Sequence, residues 1–251
     1  MHLECNICSG KLSSKIAYGI EMHICLGCKI VTRKVKSNEN CTSQYSSGSR
    51  ECFLFEFASG ILEQPKTLIF GCGITHGPTY LSARDPNVYF TDSNIKVTEF
   101  LSSKIGSDKV ILADLLYGYS SRFDLIIANE VIEHFENPAF EMQKLMRLLS
   151  GSGILVGVTD FFDGESIEEP SGYIAKPGHN TYWTEAALEI VANDFGADTY
   201  FYKMFRPGSL FESKRNNLFR PRKKVFFISK QHEQLFKTWS TITEFIPYFG
   251  E

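Results

Sequence analysis

RFDLIIANEVIEHFENPAFEMQKLMRLLSGSGILVGVT, from Arg122 to Thr159, is the stretch from which the rest of the chain can be read. Its apolar run, Phe123 to Ala128, is short and rich in strand formers, which predicts a strand buried on both faces. The polar cluster Asn129, Glu130, Glu133, His134 and Glu136 follows at once. Asn137-Pro138 then starts a helix with proline in its first turn, and Phe140, Met142, Leu145, Leu148 and Leu149 supply its apolar positions. Ser150-Gly151-Ser152-Gly153 ends that helix, and Ile154 to Val158 reads as a second buried strand. The unit is one strand–helix–strand crossover with a polar crown. Open α/β sheets bind ligands at the carboxyl ends of their strands, which is where the crown lies.

Towards the N-terminus, Thr67 to Phe70 predicts a strand that runs into Gly71-Cys72-Gly73-Ile74-Thr75-His76-Gly77-Pro78. A glycine turn between strand and helix lets the backbone approach a ligand and aims amides at it; the plainer alternative is a tight turn with no ligand. Asn87 to Thr91 predicts a second strand, ending in Asp92 about 20 residues beyond the glycine turn, where a carboxylate can accept both hydroxyls of a ribose. The alternative for Asp92 is a helix cap, since Ser93 and the helical run Ile95 to Lys104 follow. Val110 to Ala113 predicts a third strand with Asp114 at its end, and Asp114 serves either a ligand or the next turn.

This ordered set resembles the class I S-adenosylmethionine-dependent methyltransferases, whose pattern over the central segment is FDxIxxxxVxEHxxxP, a helix, a glycine-rich turn and a strand. The resemblance spans Pro65 to Ser229. It implies an α/β fold with a Rossmann-like seven-stranded sheet covered by helices on both faces. It implies S-adenosylmethionine as methyl donor, bound by Gly71, Cys72 and Gly73, by Asp92 with Ser93, by Asp114 with Leu115 near the adenine, and by Asn129 and Glu130. The family's acidic-x-G-x-G-x-G motif has Ile69 at its acidic position here and Thr75 at its third glycine. GHNTYWTE, Gly178 to Glu185, resembles the H-x-x-x-[FYW]-[ST] stretch of many small-molecule members.

Methyl transfer requires donor and acceptor to be aligned and a proton to be taken from the acceptor. His134 and His179 are the candidate bases, with Glu133 or Tyr182 orienting them. The alternatives are a pocket-floor role for the glutamate–histidine pair and a structural loop role for His179. The N-P-P-[YFW] tetrad of enzymes that methylate nucleobases or glutamine is absent, because Asn129, Glu130, Val131 and Ile132 stand there. The expected acceptor is therefore an oxygen, carbon or nitrogen atom of a small molecule of natural-product type. Two rival readings stand beside it: a non-catalytic scaffold that binds S-adenosylmethionine or S-adenosylhomocysteine, suggested by Ile69 and Thr75, and an RNA methyltransferase.

Cys5-x-x-Cys8 and Cys25-x-x-Cys28 flank a span suited to a β-hairpin, and four thiolates at this spacing can close a tetrahedral zinc site; the alternatives are reduced thiols on a small β-meander or a redox pair. A closed four-sulfur site leaves no position for chemistry, so its role is structural. The expected division is a zinc-ribbon module over 1–36, a linker over 37–50 that includes Cys41, and a methyltransferase domain over 51–251, which opens with a helix from Glu51 to Gln64. The acidic, aromatic stretch Asp160 to Pro177 reads as a lid. Thr199 to Phe205 and Lys224 to Ser229 read as closing antiparallel strands. A basic connection, Arg206 to Arg222, lies between them and would serve a phosphate or nucleic acid if it is more than a solvated loop. The helical pattern Gln231 to Phe245 suits packing or a homodimer contact.

A 251-residue chain with 43% hydrophobic residues and a net charge of −3 is a folded protein without the excess charge of a dedicated nucleic-acid binder. No apolar run reaches the ~20 residues of a membrane helix, and MHLECNICSG lacks the layout of a leader peptide. Both point to the cytoplasm, where free thiols persist.

Overall fold

The structure is a computed structural model and describes residues 3–35, 48–116, 118, 122–162, 176–203 and 223–231. The stretch 163–175, the basic connection, the C-terminal helical pattern and Cys41 lie outside the described residues.

The chain begins with a hairpin, β1 (Leu12–Ala17) and β2 (Ile20–Cys25), whose turn residues Tyr18 and Gly19 both have positive φ, 54° and 72°. That backbone twist suits a two-residue hairpin turn. β3 (Val31–Arg33) adds to β2 antiparallel. α1 (Ser49–Ser59) follows, then β4 (Thr67–Phe70), α2 (Gly77–Arg84), β5 (Val88–Thr91), α3 (Ile95–Ile105) and the short α4 (Ala113–Leu116). The central crossover is β6 (Phe123–Asn129), a single 3₁₀ turn Ile132–His134, α5 (Pro138–Leu148) and β7 (Leu149–Asp160). The described chain closes with β8 (Thr181–Tyr182), α6 (Glu185–Asn193), β9 (Asp198–Lys203) and β10 (Lys223–Ser229).

The large sheet has the order β5-β4-β6-β7-β10-β9. β5, β4, β6 and β7 run parallel, and β10 and β9 close the sheet antiparallel. The expected third strand of the methyltransferase domain is reduced to one parallel bridge, Val110 to Phe90, on the outer side of β5. The chain turns into α4 immediately afterwards, so Asp114 stands in the first turn of a helix and not at a strand end. β7 is longer than expected, because Ser150 to Gly153 continue the strand and do not merely end the helix. The helix expected from Glu51 starts at Ser49 and ends at Ser59. Phe140 is half-exposed on α5 under the Lys144 ammonium, outside the core face.

β6 alternates between two cores. Leu125 and Ile127 face a cluster with Leu54, Phe55 and Ala58 of α1, Leu81 of α2 and Leu101 of α3. Ile126 and Ala128 face a second cluster with Met142 and Leu145 of α5 and Leu188 and Val191 of α6. Helices therefore cover both faces, which accounts for the near-continuous apolar run in this strand. Asp124, the one charge in it, accepts from the Lys66 amide at 3.0 Å and the Ser150 hydroxyl at 2.8 Å and so ties three strands together.

The second sheet has the order β1-β2-β3-β8 and joins the N-terminal hairpin to Thr181 and Tyr182. Cys25, Cys28 and Ile30 lie in the same core cluster as Trp183, Ala187 and Leu188. The cysteine-bearing segment is thus packed against the large domain through both a shared sheet and a shared core.

Candidate active site and cysteine centre

The chain passes from β4 to β5 on one side of the sheet and returns to β6 on the other. Ligands bind outside the carboxyl ends of the strands at such a switch point. Three polar elements meet there: the glycine turn after β4, Asp92 after β5 and the crown after β6.

Gly71 and Gly73 have φ of 70° and 57°. A Cβ on Gly71 would stand 2.6 Å from Val131 Cγ2, so the turn is closed to side chains. The Gly71 and Cys72 amides donate to the Thr91 carbonyl, and the Gly73 amide donates to Asp92 Oδ2 at 2.9 Å. Asp92 Oδ1 accepts from the Asn94 amide at 2.8 Å. The cap of α3 is Asn94, whose side chain accepts from the Lys96 amide, so Asp92 is released from that role. The carboxylate holds glycine turn and helix start together and keeps further acceptor positions for a diol. Ser93 is exposed beside it. The Cys72 side chain is buried in the core, so this residue offers a ligand its backbone alone. Asp114 and Leu115 are exposed on α4. Ile69 is also buried in the core, where the apolar side chain replaces the family's carboxylate.

The crown is denser than the sequence shows. Asn129 Nδ2 donates to Glu51 Oε1 at 2.7 Å, and its buried Oδ1 has no partner. Glu130 is held in the left-handed region at φ 55° and pairs with Arg50 at 2.7 Å. Arg50 and Glu51 belong to the first turn of α1, which the sequence assigned to a linker and a plain packing helix. Gly48 at φ 67° brings that turn against α2, since a Cβ there would meet the Gly77 amide at 2.5 Å.

Glu133 is fully buried, with one oxygen accepting from the Thr159 hydroxyl at 3.1 Å, no protein donor on the other, and its carboxyl set against that of Glu130. Burial pushes its carboxyl well above the usual carboxylate range, and the neighbouring Glu130 charge adds to the effect. His134 and His179 meet edge to face with ring centroids 5.0 Å apart. Burial lowers the His134 pKa, and burial followed by the proximity of His134 pushes the His179 imidazole down to about 3. Both rings are neutral at ordinary pH. Glu133, His134 and His179 each present a ligand atom within 4.8 Å of the others.

His179 is 45 residues from His134 in sequence and is brought there by a clamp. His134 Nδ1 bonds the Gly178 carbonyl at 2.9 Å, the Asn180 amide donates to the Glu133 carbonyl, and Asn180 Nδ2 donates to the His134 carbonyl. The Thr181 hydroxyl donates to the Phe135 carbonyl and Trp183 Nε1 to the Ile132 carbonyl. The other side of the same segment faces β3. The Arg33 amide donates to the Asn180 carbonyl, and its guanidinium reaches the Tyr182 hydroxyl at 3.2 Å and the Lys176 carbonyl at 3.0 Å. Tyr182 in turn donates to the His179 carbonyl, so its hydroxyl is occupied within this brace. Asn180 lies inside the quoted GHNTYWTE stretch, but Arg33 and Thr159 carried no recognisable signal, because only the fold brings them to the site.

The four cysteines converge as their spacing predicts, with Cys5 Sγ 3.8 Å from Cys28 Sγ and Cys8 Sγ 3.3 Å from Cys25 Sγ. A Cβ on Gly10 would lie 3.1 Å from two of these sulfurs, and one on Gly27 would lie 3.2 Å from Cys8 Sγ. The two turns are therefore shaped around a sulfur cluster that can hold one metal ion.

The family described as "Methyltransferase domain" matches residues 51–200. The chain belongs to this methyltransferase domain family. A crystal structure of a SAM dependent methyltransferase from Archaeoglobus fulgidus is similar over 74% of this chain and 95% of that one, with a TM-score of 0.54 and 13% identity. The plantazolicin methyltransferase BamL, crystallised with a triazolic desmethylPZN analog and SAH, is similar over 74% of this chain and 85% of that one, with a TM-score of 0.49 and 15% identity. Among curated proteins no sequence gives a significant match. In all, 788 chains of solved structures match, too broad a set for the fold to choose an acceptor. The methyltransferase is thus a class I, S-adenosylmethionine-dependent enzyme with a Rossmann-like sheet, and its four-cysteine cluster fits a zinc site. Among the described residues no helix is long and apolar enough to cross a membrane.

Proposed function

We propose that this methyltransferase transfers the methyl group of S-adenosylmethionine to an oxygen, carbon or nitrogen atom of a small-molecule acceptor. The carrying observation is the crown, where two carboxyl groups and two imidazoles converge beside the switch point and form no planar-base recognition tetrad. The donor's fit is supported by the glycine turn closed to side chains, by Asp92 with acceptor capacity remaining, and by the open buried acceptor Asn129 Oδ1. When bound, S-adenosylmethionine supplies an electrophilic methyl on a sulfonium sulfur. Gly71, Cys72 and Gly73 offer backbone to it, Asp92 with Ser93 the ribose site, Asp114 with Leu115 the adenine side, and Asn129 and Glu130 the methionyl end. His134 and His179 line the acceptor position beside Glu133; the Gly178 carbonyl orients the His134 ring, and Tyr182, expected to orient an imidazole, instead braces the His179 backbone. We assign zinc to Cys5, Cys8, Cys25 and Cys28, in keeping with a cytoplasmic chain whose described cysteines are all free. The nucleic-acid reading rests on the cysteine centre together with 206–222, and the homodimer reading on 231–245; both of those stretches lie almost wholly outside the described residues.

Calorimetric titration with S-adenosylmethionine and S-adenosylhomocysteine, followed by turnover with candidate hydroxylated and amine acceptors, tests the reading. Saturable binding of both and S-adenosylhomocysteine release that depends on an acceptor are expected. Failure to bind either would overturn it.

A further inference from the structure

The crown carries more ligating capacity than alignment of an acceptor needs. We propose that Glu133, His134 and His179 bind a divalent transition-metal cation of Fe²⁺ or Co²⁺ type, separate from the four-cysteine centre. This goes beyond the proposed methyl transfer while resting on it for the role of the bound ion.

The geometry has three independent parts. The first is convergence: one ligand atom from each residue lies within 4.8 Å of the others, close enough to share an ion. The second is a buried carboxyl pair. Glu133 is 0% exposed, its Oε2 accepts from the Thr159 hydroxyl, and its carboxyl lies against that of Glu130 with no N–H or O–H donor on Oε1. Two carboxyl groups held together out of water need a shared proton or a cation between them, and an ion that displaces the proton satisfies both. The third is the outer shell. The Gly178 carbonyl can only accept, so His134 carries its neutral-ring proton on Nδ1 and presents the Nε2 lone pair. A backbone carbonyl on the far nitrogen of one ring and a hydroxyl on the far oxygen of a carboxylate are the contacts that orient metal ligands.

Glu130 adds a second carboxylate next to Glu133, and its left-handed φ of 55° is a strained conformation for a residue with a side chain. Two carboxyl groups and two imidazoles form a mixed oxygen and nitrogen donor set, which suits transition-metal ions; the cysteine centre, with four sulfurs, selects zinc. The two sites are thus chemically distinct. At the carboxyl end of β6 the ion faces the acceptor position. A hydroxyl bound to it loses its proton more readily: the O–H bond breaks heterolytically, the proton passes to water, and the oxygen retains the electron pair for attack. No strongly basic side chain is then needed.

Cobalt(II) titrated into the zinc-loaded protein tests the site, with zinc content followed throughout. About one Co²⁺ per chain should bind beyond the zinc, giving visible d–d absorption without thiolate-to-cobalt charge transfer and without zinc release. Glu133→Gln and, independently, His134→Asn should each weaken Co²⁺ binding by at least about tenfold. S-adenosylhomocysteine affinity and the melting temperature report whether each variant is folded. Absence of extra cobalt in the wild-type protein would overturn the site, as would uptake that appears only with charge-transfer bands and zinc loss. Equally tight binding by both folded variants would do the same. A wild-type protein that takes cobalt into the crown yet binds no S-adenosylhomocysteine would keep the metal site and overturn the methyltransferase reading instead.

Discussion

Asp92 couples the glycine turn to the start of α3 through one carboxylate, so its removal should be felt at the donor site first. Asp92→Ala is expected to weaken S-adenosylhomocysteine binding by about 1–3 kcal/mol, the cost of losing a charge-assisted partner. Unchanged affinity by calorimetry would restrict Asp92 to bracing Gly73 and Asn94. Gly157 gives a second residue-scale outcome. A Cβ there would sit 2.5 Å from both the Ala128 carbonyl and the Phe226 ring, so Gly157→Ala should lower unfolding free energy by about 1–3 kcal/mol. A denaturation midpoint equal to wild type would mean that the sheet yields more easily than its packing implies. Asp92, Glu133 and His134 could be picked out in the sequence because each follows a strand whose pattern is plain. Arg50, Glu51 and Thr159 could not, since their roles arise from contacts across 26 to 80 residues that no local pattern records.

At the scale of elements, the segment 178–183 is gripped on one side by the 3₁₀ turn and on the other by β3. Arg33 is the side chain that fastens the second grip. Arg33→Ala should speed amide exchange across 178–183 and cost about 1–3 kcal/mol of stability, with S-adenosylhomocysteine affinity unchanged within about twofold. If exchange there matched wild type, the backbone pairing of β3 with β8 would suffice alone. The strands β4, β5 and β6 were predictable because apolar runs ended by glycine or acid leave little freedom. The strand expected over Val110 to Ala113 shrank to one bridge, as an edge position rewards pairing on one side only and α4 begins at once. β8 escaped notice because a two-residue strand carries no periodicity, and its partner lies about 150 residues away.

For the whole molecule, the cysteine centre and the large domain form one packed body among the described residues, which periodicity and spacing alone do not reveal. Cys25→Ser should lower zinc from about one per chain, and elemental analysis showing undiminished zinc would sink that assignment. Chelation of the zinc should lower the melting temperature and loosen 178–184 together, because Cys28 and Ile30 share a core with Trp183 and Leu188. If that segment kept its exchange protection after zinc loss, the brace would be independent of the metal.

The Thr184 hydroxyl accepts from the Ala187 amide to start α6 and donates to the Cys28 carbonyl at 2.6 Å, joining positions 156 residues apart. Translation at ~5–20 residues per second separates those two ends by about 8–30 s. For that interval β3 has a free edge, open to pairing with any other strand. The hairpin is therefore made well before the segment that covers its edge.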